Sequence, residues 1–522
     1  MATVTSHHST TEDLRFSLEN PAIAALYERS QELTDLGSIS ALLGWDQQTQ
    51  MAMGSNIVRG PQSATLDLII HERKTSAVMR HALDEAEAVV TADPGHFTLA
   101  DHALVRTLRR DVDEAVKIPD DFVRDFALAQ ASAWEAWISA KKAKNYAIFA
   151  PHLGKMIEFS RRKAALLNPD VPPYEALFAE FEPGLTFKEC MDALTKVREA
   201  TVVLLKRIAQ AQTISDAALH GDFAPDKEME LSKTMLTVMG YQFENGRIDL
   251  AAHPFMTSLG TPYDIRVTTR LDPNRLGRAL LPAMHEGGHA LYELGVSPAL
   301  TRTTLAHGTS LGIHESQSRF WENIIGRAEP FWHAHFDKVR EIFPEHFAAI
   351  SVEEFVRALN RVQADLIRVE ADELTYNLHI IIRTEMEIAM VEGTATVEEL
   401  PALWNQKYFD YLGVRPANDA EGILQDVHWS YGNLGYFPTY SLGNMFAAQF
   451  ATTLYQVFPD LDARLAAGET RFIREWQREN IHQWGRIFDA NDLSIRVTGE
   501  PLNPDHFITY VTNKFTRLYG LS

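Results

Sequence analysis

Two histidines four residues apart, His285 and His289, are the residues of this sequence best suited to bind a metal ion, and Glu286 lies between them. On a helix, residues four apart lie on one face with Cβ atoms about 5–6 Å apart, so two imidazoles can bind one ion. Glu286 is rotated about 60° from His289 on such a helix, which leaves it beside the ion without making it a ligand. This spacing is typical of zinc hydrolases, in which the glutamate acts as general base.

Two glycines, Gly287 and Gly288, follow Glu286 in the middle of the predicted helix. Each disfavours the helix by roughly 1 kcal/mol relative to alanine, which suggests that another group approaches the backbone closely there. The flanking residues are apolar, which favours a buried helix over a surface helix with two unrelated histidines; they are Leu280, Leu281, Met284, Ala290 and Leu291.

A third ligand must complete the site and leave one coordination position open. The metzincin pattern would place a histidine ten residues after His285, where the sequence has Gly295, so that class is excluded. Glu293 lies two helical turns from His285, about 12 Å of rise, which is too far. Glu315 is at the beginning of a second helical pattern, and spacing favours it over the other candidates, which are His307, His314 and Glu322. The ligand types indicate Zn2+, while the order of metal affinities also admits Co2+ as a substitute.

The rest of the chain must position these residues, and its pattern is mostly helical. Apolar residues recur at helical spacing from about 20 to 250, clearly so in 192–211, then from about 316 to 411 and after 443. Two irregular stretches, 251–315 and 412–443, are predicted to carry the chemistry, because loops on a rigid frame commonly do. Residues 1–18 are predicted to be a disordered N-terminus, and residues 19–522 a single helical domain with two lobes.

Residues 264–271 alternate polar and apolar side chains, the pattern of a half-exposed strand. Asp264, Arg266 and Thr268 would share its polar face. This strand could line a groove and pair with the backbone of a peptide substrate, or it could be an exposed edge whose charges deter aggregation. His253, which precedes a proline, is a further candidate for substrate binding, or only a turn residue.

Composition excludes several classes of protein. The net charge of -21 argues against a nucleic-acid-binding surface. No apolar run approaches a membrane span, and the N-terminus lacks the features of a secretory signal, so a cytoplasmic protein without membrane contact is expected. Cys190 is the only cysteine and lies in a helical pattern, which favours a packed apolar role over a nucleophile.

An ordered set of motifs covers nearly the whole chain from about residue 20. They are His253-Pro254-Phe255, Asp264-x-Arg266-x-Thr268, His285-Glu286-Gly287-Gly288-His289, His314-Glu315-Ser316-Gln317, Ile367-Arg368-x-x-Ala371-Asp372, Gly422-x-x-Gln425-Asp426-x-His428-Trp429 and Gly435-Tyr436-Phe437-Pro438-Thr439-Tyr440. With these motifs the sequence resembles the metallocarboxypeptidases typified by carboxypeptidase Taq. The resemblance is far more specific than the zinc signature alone.

The resemblance implies a zinc-dependent release of C-terminal amino acids from peptides by a homodimer. It implies a mostly α fold, a helical saddle-like body with a deep central groove and a small β element near the active site, similar to neurolysin and angiotensin-converting enzyme. Glu315 would be the third ligand, Glu286 the general base and Arg368 the group that binds the substrate's free C-terminal carboxylate. By similarity, His428 and Tyr440 would flank the reacting carbonyl, with Tyr436 as the alternative to Tyr440.

Other interpretations compete with this one. Taken alone, Arg368 fits a helical charge network with Glu370 and Asp372. A zinc oligopeptidase or endopeptidase could use the same zinc site, and blocked-end peptides would distinguish it from a carboxypeptidase. A non-catalytic helical binding protein could retain a structural zinc, but the intact Glu286 and the open fourth position argue against this.

Overall fold

The computed structural model describes residues 13–521, and almost all regular structure in this range is helical. The helices are α1 (Pro21–Thr49), α2 (Asn56–Thr75), α3 (Ala77–Ala92), α4 (Leu99–Lys117), α5 (Asp120–Ala143), α6 (Ala150–Leu167), α7 (Pro173–Ala179), α8 (Phe187–Ile208), α9 (Pro225–Met239), α10 (Gly277–Gly295), α11 (Leu311–Arg319), α12 (Glu329–Ile342), α13 (Pro344–Phe347), α14 (Val352–Leu359), α15 (Tyr376–Glu392), α16 (Leu400–Leu412), α17 (Pro438–Val457), α18 (Leu461–Ala466), α19 (Arg471–Asn480), α20 (Ala490–Thr498) and α21 (Asp505–Tyr519). The strands are β1 (Ile248–Leu250), β2 (Met256–Ser258) and β3 (Ile265–Thr269). The predicted mostly α class with a small β element is confirmed. None of the described helices is both long and apolar enough to cross a bilayer.

The described residues form two compact units. One unit comprises residues 13–116, Asp216–Leu359 and Phe450–Pro501, and it contains the three strands and helices α10 and α11. The other comprises Lys117–Ser215, Asn360–Gln449 and residues 502–521. The assignment of 19–522 to a single domain stays a prediction.

Most of the N-terminal segment predicted to be disordered, residues 1–12, lies outside the described residues. In residues 13–18, Leu14 is buried, and the Ser17 hydroxyl donates a hydrogen bond to Asp101 Oδ2 at 2.6 Å. The Ser17 backbone N–H donates to the other oxygen of the same carboxylate at 3.1 Å.

The small sheet has the order β1-β3-β2, with β1 parallel and β2 antiparallel to the central strand. The strand predicted in 264–271 is therefore present, but its interpretation as an exposed edge or as a partner for peptide backbone is wrong. Val267 pairs with Ile248 on one side and Met256 on the other, so neither backbone edge is open there. The polar face is not fully exposed either, because Thr268 is buried and its hydroxyl is bonded to the Phe255 backbone.

Helix α8 begins where its local sequence predicts a helix start. Thr186 and Glu189 form a reciprocal capping box at its N-terminus, which satisfies backbone N–H groups that a helix start leaves without partners. The helix packs its apolar positions inward, and Cys190 is fully buried as predicted. Burial also raises the pKa of the Cys190 thiol, which agrees with a packing role.

The helices predicted from about 316 to 411 are present, but they are interrupted over residues 360–375. This stretch is irregular apart from a 3-10 turn at Arg368–Glu370. The Asp372 carboxylate accepts backbone N–H bonds from Gln363, Leu374 and Thr375, and these bonds replace those of a helix. Side-chain capping of this kind depends on the folded loop, so helical periodicity alone does not reveal it.

Candidate metal centre and arginine cluster

Helix α10 is buried on most of its surface, as its apolar sequence predicts. A Cβ added at Gly288 would lie 2.4 Å from the Gln317 carbonyl oxygen and 2.6 Å from Ser318 Cα. At Gly287 the nearest atoms would instead be side-chain carbons of Leu236 and Met239. The predicted close approach is therefore present, and at Gly288 it is the backbone of α11 that packs against α10.

This packing brings Glu315 of α11 to the two histidines of α10. Glu315 Oε2 lies 3.5 Å from His285 Nε2 and 3.4 Å from His289 Nε2. Around a tetrahedral zinc ion with bonds of about 2.0–2.1 Å, two ligand atoms are about 3.4 Å apart. These three residues also form a group whose ligand atoms all lie within 4.8 Å of one another. The donor set and its spacing thus fit a small tetrahedral cation.

Glu322, one of the other candidates for third ligand, contacts the far nitrogen of His285. Its Oε2 lies 2.8 Å from His285 Nδ1, so that nitrogen donates and Nε2 keeps its lone pair for a metal. Glu322 lies in a π-helical segment, Phe320–Ile325, that continues α11. Such segments are rare and frequently occur at functional sites.

His314 does the same for the other histidine. The two Nδ1 atoms of His289 and His314 are 2.6 Å apart, and His314 Nε2 is 3.0 Å from Glu293 Oε1. If His289 donates to His314, then His314 donates to Glu293, and His289 Nε2 faces Glu315 with its lone pair. Glu293 also accepts from the Gly308 backbone at 2.8 Å, which holds this chain of hydrogen bonds at its end. His307 Nδ1, the remaining candidate, lies 3.3 Å from Glu293 Oε2.

Arg319 fixes the carboxylate of Glu315. Its Nε donates to Glu315 Oε1 at 2.6 Å, while its NH1 contacts Glu322 Oε2 at 3.1 Å. Oε1 is thereby occupied, and Oε2, which also accepts from the Ser318 hydroxyl at 3.1 Å, faces the histidines. Burial alone would raise the pKa of Glu315, but the positive charge of Arg319 is the main cause that holds it well below its usual range. Burial lowers the pKa of His289 to about 3, which favours the neutral form that binds metals.

Glu286 is buried beside this group, with 6% of its surface exposed. Its carboxylate forms no hydrogen bond or ion pair within residues 13–521. Burial is the main cause that raises its pKa to about 7, and the negative charges of Glu315 and Glu322 add to the effect. A carboxylate that takes and releases a proton near neutral pH has the property required of a general base.

The other compact unit holds Arg368, which is also buried. Its Nε and NH2 contact Asp426 Oδ1 at 2.9 and 2.8 Å, and its NH1 donates to the Tyr376 hydroxyl at 3.1 Å. Arg368 therefore pairs with Asp426, and the charge network with Glu370 and Asp372 that its sequence neighbours suggest is wrong. Burial opposes its charge, but Asp426 raises the pKa of Arg368 well above its usual value.

Aromatic residues of the same unit surround this guanidinium. Arg368 lies over the Tyr440 ring, 5.2 Å from its centroid. His428 Nε2 is 3.3 Å from the Tyr440 hydroxyl, and the Tyr436 and Tyr440 rings are 5.3 Å apart. The structure thus groups four residues that the sequence singled out in three separate motifs.

Asp264 and Arg266 form a two-point ion pair, with both nitrogen–oxygen distances 2.8 Å. The guanidinium of Arg266 also lies over the ring of Trp45, 4.6 Å from its centroid. These contacts account for both side chains structurally. His253 is exposed at a bend of the chain.

Sequence reasoning missed the roles of several buried polar residues. Glu293 was set aside as too distant to be a ligand, which agrees with its position, but its contact with His314 was not anticipated. Arg319 and Arg383 had no signal beyond a charged residue within a predicted helix. A buried charge at an inward helical position was the one clue available.

Comparison with known proteins gives a consistent result. A family model described as carboxypeptidase Taq (M32) metallopeptidase matches residues 25–515. The chain is 39% identical to Carboxypeptidase 1 of Bacillus subtilis (strain 168), over 92% of this chain and 95% of that protein. It is 37% identical to Thermostable carboxypeptidase 1 of Thermus thermophilus, over 95% and 98% of the two chains. The crystal structure of an M32 carboxypeptidase from Deinococcus radiodurans R1 superposes with a TM-score of 0.92 at 36% identity, covering 96% of this chain and all of that one.

Proposed function

The chain is a metallocarboxypeptidase of the carboxypeptidase Taq (M32) family, and we propose that it uses zinc held by His285, His289 and Glu315. The observation that carries this proposal is the spacing of the three ligand atoms. The Nε2 atoms of His285 and His289 lie 3.5 and 3.4 Å from the same oxygen of Glu315. Oxygen-only sites would suit magnesium or calcium, whereas two imidazoles and one carboxylate suit zinc. Cobalt is the expected substitute.

When bound, such an ion polarises a carbonyl group and makes a water molecule more acidic. Glu286 would take the proton of the attacking water and pass it to the leaving amine. Its buried carboxylate without a partner supports this role, because no neighbouring donor occupies the oxygen lone pairs that must accept the proton. Glu322 and His314 would keep the imidazoles in the tautomers that present Nε2.

Arg368 would bind the free carboxylate at the C-terminus of the peptide. A guanidinium has five N–H groups, and the contacts to Asp426 and Tyr376 use three of them. One N–H is left on each terminal nitrogen, and two such groups match the two oxygens of a carboxylate. For His428 and Tyr440 we propose the role that the family resemblance implies, donors to the oxygen of the reacting carbonyl. Tyr436 stays the alternative.

The substrate-binding roles of Asp264, Arg266 and His253 stay predictions.

The alternative of an oligopeptidase or endopeptidase is not favoured, because the relatives are carboxypeptidases. The homodimer implied by the resemblance and the cytoplasmic location also stay predictions. Light scattering on the purified protein tests the dimer.

Paired peptides test the proposed function. The enzyme should release the last residue of a peptide with a free C-terminus and leave the same peptide intact when that end is amidated. Arg368→Ala should raise KM for the free peptide. Equal cleavage of both peptides by the native enzyme would refute the role of Arg368.

Metal exchange and one variant test the chemistry. A chelator should abolish activity, and Zn2+ or Co2+ should restore it. Glu286→Gln should bind zinc as the native protein does, since its side chain is not a ligand, and yet lose nearly all turnover. Substantial activity of this variant would remove Glu286 from the mechanism.

A further inference from the structure

Arg383 on α15 is a second arginine beside Arg368, and it is fully buried. Its Nε contacts Asp426 Oδ2 at 2.6 Å, and its NH2 donates to Gln425 Oε1 at 3.0 Å. Its NH1 donates to the Tyr408 hydroxyl at 3.1 Å. These contacts hold Arg383 rigidly, so it cannot itself turn toward a ligand.

Asp426 is therefore shared between two arginines. Its Oδ1 contacts Arg368 and its Oδ2 contacts Arg383. Burial alone would raise the pKa of Asp426, but the two guanidinium charges hold it far below its usual range, so it is ionised. Two positive charges and one negative charge give this cluster, Arg368–Asp426–Arg383, a net charge of about +1 at neutral pH.

The neighbouring groups His379 and Tyr408 carry no charge that could cancel this excess. Burial lowers the pKa of His379 well below its usual value, so His379 is neutral. Burial raises the pKa of Tyr408, which is neutral as well. Lys141 Nζ donates to the Gln425 carbonyl oxygen at 2.8 Å, and its charge would add to the excess. Among the described residues no second carboxylate forms an ion pair with either arginine of the cluster. Glu387 interacts electrostatically with Arg383, but burial raises its pKa to about 7, so folding favours its neutral form.

A buried net charge is unfavourable unless a counter-ion compensates it. Arg368 is the member of the cluster that has N–H groups left to offer, one on each terminal nitrogen. In the absence of Arg383, the ion pair of Arg368 with Asp426 would be neutral and would attract an anion only weakly. The second arginine thus leaves a full positive charge for an incoming carboxylate.

We infer that Arg383 is a positioning residue for substrate binding. Because it shares Asp426 with Arg368, the cluster keeps a positive charge that attracts the terminal carboxylate of the peptide. The inference rests on the proposed function of Arg368. Arg383 does not touch the substrate, and its contribution is to binding rather than to the chemical step. Loss of such uniform binding raises KM and leaves kcat nearly unchanged.

The test is a charge series at this cluster. Arg383→Met removes the charge and keeps an apolar stem beside Trp404, over which Arg383 lies at 4.8 Å. Its KM for a free-ended peptide should rise at least tenfold, with kcat within about threefold of native. Adding Asp426→Asn restores the net charge to about +1, and KM of the double variant should fall at least threefold below that of Arg383→Met.

Arg383→Lys is the matched control, because it keeps the charge and loses most of the hydrogen bonds. Its KM should stay within about threefold of native. A rise of about tenfold or more in this variant, which keeps the charge, would overturn the inference even if the Met variant does not fold. A folded Arg383→Met enzyme with native KM would overturn the inference. A double variant weaker than Arg383→Met, or a Lys variant as weak as the Met variant, would assign Arg383 a purely structural role.

The paired peptides separate this inference from the proposed function. If the native enzyme rejects the amidated peptide but Arg383→Met keeps its KM, only the inference fails. If the native enzyme cleaves amidated and free peptides equally, the carboxylate role of Arg368 fails and the inference fails with it.

Discussion

Gly288→Ala is the substitution that most directly tests how α11 reaches the metal centre. The added Cβ would lie 2.4 Å from the Gln317 carbonyl oxygen, about 1 Å closer than ordinary contact allows. The obstacle is backbone, so α11 must shift or the helices must separate. Metal–ligand distances tolerate about ±0.2 Å, and therefore Glu315 cannot follow such a shift without loss of binding.

The size of the effect follows from packing. Overpacking of a well-packed interface costs about 1–3 kcal/mol. If that strain opposes the arrangement that binds the ion, zinc affinity should fall by about 5- to 140-fold, at 1.4 kcal/mol per tenfold. The adjacent Gly287→Ala is a matched control with the same gain of about 1 kcal/mol in helix propensity. Its new Cβ meets only the side-chain ends of Leu236 and Met239, which can rotate away.

The assay is competition between the metal-free protein and a chromophoric zinc chelator, performed on native protein and both variants. Denaturant unfolding in the presence of chelator shows that each variant folds without metal. We expect Gly287→Ala to bind zinc nearly as the native protein does and Gly288→Ala to bind it much more weakly. Equal zinc affinities of the two variants would refute the reasoning that the approach of α11 at Gly288 sets the ligand geometry.

Three further predictions follow from hydrogen bonds and burial. Glu322→Ala should weaken zinc binding by about 10- to 100-fold, because His285 loses the acceptor for its Nδ1 proton, whereas Glu322→Gln should lose less; titration calorimetry compares them. His314→Ala should weaken zinc binding by a similar factor through His289, and an unchanged affinity in the competition assay would contradict this. Burial raises the pKa of Glu387 to about 7 from its ordinary 4.5, so folding favours its protonated form. The associated stability is present below pH 4.5 and is lost as the pH rises through 7, by up to about 1.4 kcal/mol per pH unit. Glu387→Gln should flatten this slope in urea unfolding measured across that range.

The features of the metal centre that depend on residues close together in the sequence were predictable. His285 and His289 are four residues apart on one helix, and helical geometry alone puts them on one face. The glycine pair indicated a close approach, which α11 makes at Gly288. The choice of Glu315 over Glu322 was less determined. The two glutamates lie seven residues apart in one helical pattern. Only the packed structure shows that they contact different atoms of His285, Glu315 its Nε2 and Glu322 its Nδ1.

Features that depend on distant partners were not predictable in this way. The central position of β3 requires β1 and β2 on its two sides, and an alternating pattern says nothing of how many neighbours a strand has. The alternative that pairs Arg368 with its sequence neighbours Glu370 and Asp372 fails, because its partner Asp426 is far along the chain. The same holds for Arg383, whose role arises only from the carboxylate it shares.

The two buried ionic groups differ in the sign of their excess charge, and each sign suits its proposed ligand. Around the metal ligands lie four carboxylates, those of Glu286, Glu293, Glu315 and Glu322. Two guanidinium groups oppose them, Arg319 and the more distant Arg327, whose NH2 is 3.9 Å from Glu322. With Glu286 ionised and the histidines neutral, that group has a net charge of about -2, which a divalent cation compensates. The Arg368–Asp426–Arg383 cluster has an excess of about +1, which a carboxylate compensates. Buried charges are stable only when they are paired, so each group is a preformed counter-charge, held rigid by its own hydrogen bonds before the ligand arrives.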